Sequence, residues 1–70
     1  MRYTLRSPNY QQQVVGLPGR QPVAVREKLA DLKELLQSVI DSGFEWHVID
    51  AKKPDTWMDR ETVLRVCGIE

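Results

Sequence analysis

The sequence predicts a small α+β domain of order β-β-α-β-α, with a three-stranded sheet covered on one face by one long amphipathic helix. Three observations predict it. Val25, Leu29, Leu32, Leu36 and Val39 recur at alternating spacings of four and three, which puts them on one helical face. Arg2 to Arg6 alternates polar and apolar residues, the period of a half-buried strand. FEWHVI at 44–49 is rich in aromatic and β-branched residues, which suit a strand.

Residues 1–16 read as a β-hairpin. Tyr3 and Leu5 would share one face of its first strand, SPNY at 7–10 would form the turn, and Gln11 to Val15 would return as a polar edge strand. GLPGRQ then halts regular structure, so 17–21 is a loop. Pro22 suits a first helical turn, and strong helix formers carry the helix over 22–42. Gly43 supplies a left-handed ending, with Phe44 folding back on the last turn. Leu35 and Ile40 widen the stripe beyond a two-position seam, which suits packing on a sheet better than a coiled coil.

Residues 44–50 form the third strand, with Phe44, Trp46 and Val48 toward the helix and Glu45, His47 and Ile49 on the other side. Pro54 breaks the chain in a 51–55 loop, and Asp55 or Thr56 offers a cap for a short helix over 56–67. The run TVLRV also fits an edge strand, but DRE ahead of it suits the positive end of a helix dipole. Gly68 would close that helix with Ile69 folding back.

Seventy residues are expected to make one free-standing domain, 1–70, with a small core. With a single cysteine and a single histidine, neither an internal disulfide nor a four-ligand zinc site is expected. Self-association is therefore the expected source of extra stability, giving a homodimer. No run of eighteen apolar residues and no signal-like start is present, so the expected location is cytoplasmic, without membrane contact.

Formal net charge is zero, which disfavours a dedicated nucleic-acid binder. The charge is nonetheless uneven: Arg2, Arg6 and Arg20 precede residue 22 with no acid among them. Such a bipolar chain would present a basic and an acidic surface if the two parts stayed apart.

Few residues point to chemistry. Glu45 and His47 are two apart, so a strand would bring a carboxylate beside an imidazole, the minimum for acid-base work. No second histidine, adjacent nucleophile or glycine-rich pocket loop accompanies them, and no catalytic residue, metal or cofactor is expected. GLPGR offers Arg20 as an anion contact at a helix start. It lacks the spacing of a phosphate loop, and Pro18 and Pro22 remove amide donors. Cys67 sits among apolar residues that suppress thiolate formation.

The expected function is a small non-enzymatic protein-binding module of adaptor or inhibitor type, of the kind encoded by bacteria, phages or plasmids. Its expected contact surface is the exposed hairpin with Arg2, Arg6, Tyr10 and Gln12, joined by Trp57, since arginine and aromatic residues are enriched at interfaces. The alternative is a nucleic-acid accessory protein using Arg2, Arg6, Arg20, Lys52 and Lys53 on phosphates, with Tyr3 or Tyr10 stacking on bases.

Overall fold

A buried strand needs neighbours on both edges to pair its backbone amides and carbonyls, and Tyr3–Arg6 (β1) finds them in Ala24–Arg26 (β2) and His47–Asp50 (β3). The structure, a computed structural model, describes residues 2–69. Met1 and Glu70, the ends of the expected single domain, lie outside the described residues. The sheet is antiparallel, in the order β2-β1-β3. The α+β class and the three-stranded sheet are as the sequence predicts, but the second strand is built from other residues.

The expected hairpin over 1–16 does not form. Pro8–Tyr10 (α1) is helical and runs into a π-helical stretch at Gln11–Val15, closed by Gly16 at φ 83°. The amides of Gly16 and Leu17 both reach the Gln11 carbonyl, at 2.8 and 2.9 Å. Proline at the first helical position fixes φ for a helix, and glycine at the end takes the left-handed conformation, so SPNYQQQVVG has both helix punctuation marks. Glutamine tolerates a helix better than a strand. These local preferences outweigh the weak alternation of Gln11 to Val15.

The loop at 17–21 is present and packs back on this helical turn. Gly19 is buried, and a Cβ there would lie 2.8 Å from Gln12 Nε2, 3.1 Å from the Pro8 carbonyl oxygen and 3.2 Å from Pro8 Cβ. Arg6 fixes the neighbouring residue by donating to the Arg20 carbonyl at 2.8 Å. Gly19→Ala is therefore expected to destabilise the domain by about 1–2 kcal/mol, the usual cost of overpacking against atoms that cannot all retreat. A urea midpoint equal to wild type would refute this contact.

The long helix over 22–42 is also shorter than predicted. Ala24–Arg26 is strand, Lys28 is extended, Leu29–Leu32 is a 3-10 turn, and only Lys33–Asp41 (α2) is α-helical. The segment has no Ser, Thr, Asp or Asn before Pro22 to cap a helix there. Val23 and Val25 accept extended backbone readily, and β1 gains its second partner from them. The apolar stripe survives from Leu29 onward: Leu29, Leu32, Leu36 and Val39 are buried, with Leu35 and Ile40 half-buried beside them.

The third strand is limited to His47–Asp50, shorter than 44–50, but its predicted facing holds. Trp46 and Val48 are buried, and Phe44 packs at the core margin. Residues 51–56 form turns and bends, 57–59 run without regular structure, and the last helix is Arg60–Cys67 (α3). Its cap is Asp59, whose side chain accepts from the Thr62 amide, so it starts later than an Asp55 or Thr56 cap would give. Both helix endings are as predicted: Phe44 and Ile69 amides return to the Val39 and Leu64 carbonyls across Gly43 and Gly68.

The core lies on one side of the sheet. Leu5 stands between Ala24 and Val48 in register, and these three pack with Leu32, Leu36, Val39, Val63 and Cys67 in one cluster. The 3-10 turn at Leu29–Leu32 is its hub, touching α2, α3 and β2. Tyr10 is a core residue too, only 8% exposed and edge-on to Phe44 at 5.9 Å. The opposite sheet face carries Val25, Thr4 and Ile49 in one row and Arg6 opposite His47 in the next, all half-exposed.

Candidate binding site around Trp57

The open sheet face is where an exposed aromatic side chain is held in place. The chain leaving β3 turns on itself: the Lys52 amide donates to Asp50 Oδ1 at 3.0 Å and the Lys53 amide to the Asp50 carbonyl at 2.8 Å. It then returns along β3, where the Met58 amide donates to the Val48 carbonyl at 2.8 Å. This return places the Trp57 indole flat on the His47 imidazole, with ring centroids 4.1 Å apart and planes 11° from parallel. Trp57 remains 66% exposed.

Two grooves meet at Trp57. The larger, about 430 Å³, is bordered by Arg2, Asp50, Lys52, Lys53, Trp57 and Asp59. The smaller, about 310 Å³, is lined by Pro8, Asn9, Glu45, His47, Trp57 and Arg60. The indole is thus a ridge between two depressions. A flat apolar ridge with polar borders suits contact with another surface, since tryptophan contributes large area with little conformational entropy to lose.

The charges around the ridge are mostly assigned. Arg2 donates from Nε and Nη2 to the two Asp50 carboxylate oxygens at 3.2 and 3.3 Å. This pairing, with the Lys52 amide, holds the Asp50 carboxyl below its ordinary range. Arg60 lies over the Trp46 ring at 5.3 Å and donates to the Trp46 carbonyl at 3.2 Å. Asp59 Oδ2 accepts from the Thr62 amide and hydroxyl.

His47 is held below the usual histidine pKa, first by burial under the indole and then by the charges of Arg6 and Arg60, with Glu45 opposing weakly. Its stacking partner is an indole, and Glu45 acts on it only through charge. The sign for stability follows from proton binding. Between the lowered folded value and the ordinary 6.5, the unfolded chain binds the proton and the folded one does not. Stability is therefore expected to rise with pH through that interval and level off above it. His47→Gln should flatten the slope in urea melts across pH 5 to 7; an unchanged slope would assign it to other groups.

The predicted contact residues are only partly brought together. Arg2 and Trp57 share the larger groove, and Arg6 stands opposite His47. Tyr10 is in the core, so it forms no part of an exposed surface. Gln12 is exposed on the π-helical stretch and Arg20 on the following turn, but neither lines a groove at Trp57. The condition for separate basic and acidic surfaces is not met at Arg2, which pairs with Asp50 across the sheet. His47 and Arg60 join the site although the sequence gives no contact role to either. The available signal was the turn around Pro54, which returns the chain along β3 and brings residues ten apart together.

Comparison of the chain with protein-family models, curated proteins and solved structures found no match. The chemistry of the site therefore rests on its own side chains. Among the described residues, no group of three or more His, Cys, Asp or Glu is placed to hold a metal ion. No helix among them is long and apolar enough to cross a membrane. Cys67 is buried, its thiol donates to the Leu29 carbonyl at 3.3 Å, and burial pushes its pKa up, as expected for a packing residue.

Proposed function

We propose that this protein is a small non-enzymatic protein-binding module whose contact surface centres on Trp57. The observation that carries this reading is an exposed indole fixed from below by His47 and from behind by the Met58–Val48 backbone bond. An anchor already held in its bound geometry loses little entropy on association. Arg2 on one side and Arg6 and Arg60 on the other form the polar border. This surface replaces the N-terminal hairpin as the proposed contact region. A cytoplasmic adaptor or inhibitor, able to form a homodimer, is the role that fits this size and surface.

The second reading is a nucleic-acid accessory protein. Lys52 and Lys53 beside Trp57 favour it, because single-strand binders combine a stacking platform with cations along the backbone. Arg2, Arg6 and Tyr10 give it less support, since each already has an internal partner.

Affinity capture with the tagged full chain, with and without nuclease, separates the two. A protein partner retained after nuclease and lost with Trp57→Ala is the expected result. Partners that vanish with nuclease would transfer the site to nucleic acid.

A further inference from the structure

Which partner the Trp57 surface accepts is decided by the charges left over once internal pairs are formed. In the larger groove, Asp50 is engaged by Arg2 and by the Lys52 amide, and Asp59 is engaged by Thr62 at the start of α3. The Lys52 and Lys53 side chains remain as exposed charges of that groove; neither makes a side-chain hydrogen bond or close ion pair among the described residues, and that of Lys52 acts on Asp50 through charge alone. On the far side of the indole, Arg6 and Arg60 lie close enough to His47 to disfavour its protonation. A cationic guest on the ridge would meet a cation in either groove, Lys52 and Lys53 in the larger and Arg60 in the smaller. An anionic one would meet Lys52 and Lys53 in a groove whose carboxylates, Asp50 and Asp59, are already held by Arg2 and by the start of α3.

We propose that the Trp57 surface binds an acidic segment of a partner protein, with an apolar or proline side chain laid on the free indole face and carboxylates directed to Lys52 and Lys53. The proposal rests on the protein-binding reading above and adds the chemistry of the partner. A peptide fits the site better than a nucleic-acid strand for a stated reason. Glu45 lines the smaller groove and Asp59 the larger, so a chain charged at every unit would run some of its charges against carboxylates. A peptide can carry its acids only where the lysines are.

The test is selection of random dodecapeptides displayed on phage against the immobilised full chain, its K52Q/K53Q variant and its W57A variant. Wild type is expected to enrich peptides with clustered Asp or Glu beside an aromatic or proline residue. Synthetic copies should bind K52Q/K53Q about three- to tenfold more weakly, the loss expected for two exposed charge pairs, and bind W57A below detection. Circular dichroism of both variants should match wild type, because neither position contributes to the core. Trp57-dependent peptides without an acidic bias would overturn the acidic assignment and leave the protein-binding reading standing. Absence of any Trp57-dependent peptide would overturn both. Trp57-dependent binding of a labelled oligothymidylate in place of peptides would overturn both in favour of nucleic acid.

Discussion

Leu32→Ala is expected to remove a third or more of the folding free energy of this domain. Leu32 is fully buried and sits in the turn that touches α2, α3 and β2 at once. Truncation there deletes methyl groups from a site walled by three elements that cannot close over the gap together, and such changes cost about 2–5 kcal/mol. A chain of this length holds about 4–10 kcal/mol in total by the usual per-residue range. The variant should show a urea midpoint reduced by a third or more, with loss of near-ultraviolet signal from Trp46. Retention of the wild-type midpoint would mean that the turn is not the hub of the core. Val66→Ala, on the exposed side of α3, is the matched control and should change stability little.

Trp57→Ala is expected to have the largest effect on binding and a small one on folding. The side chain is mostly exposed and its main contact is the His47 ring, so its loss should cost about 0.5–1.5 kcal/mol of stability. Loss of a central tryptophan anchor costs about 2–4 kcal/mol of association free energy, roughly 30- to 1,000-fold in Kd. Titration calorimetry with the captured partner, alongside a urea melt, reads both quantities on one sample. Equal losses in folding and binding would make Trp57 a structural residue. Arg2→Glu is not equivalent as a probe, because it would set a carboxylate against Asp50 where the ion pair now stands.

Much of the architecture was legible because it depends on neighbours in sequence. The left-handed glycines at 43 and 68, the apolar stripe from Leu29 to Val39, the strand at Tyr3–Arg6 and the inward facing of Trp46 and Val48 all follow from local period and local stereochemistry. The errors arose where two local patterns overlapped. Val25 fits the helical stripe and also an extended strand, and only the need of β1 for a second partner selects the strand. Gln11 to Val15 alternates weakly, yet Pro8 and Gly16 bracket it as a helical turn.

The candidate site was less legible than the fold. The sequence places both Trp57 and Tyr10 on a contact surface; Trp57 is exposed, whereas Tyr10 is buried against Phe44. The indole-imidazole stack depends on a chain return that no periodicity encodes. Its cause is a set of backbone and side-chain bonds from Asp50 and Val48 to residues several positions on.

The sequence by itself determined the α+β class, the identity of most core residues and the ends of two helices, because burial periodicity and positive φ are properties of short segments. Only the tertiary structure decided which segment becomes the central strand's second partner, which arginine is spent on an ion pair and which ring the exposed indole rests on. Those outcomes depend on groups distant in the chain competing for the same edge, carboxylate or cavity, and that competition is resolved in space.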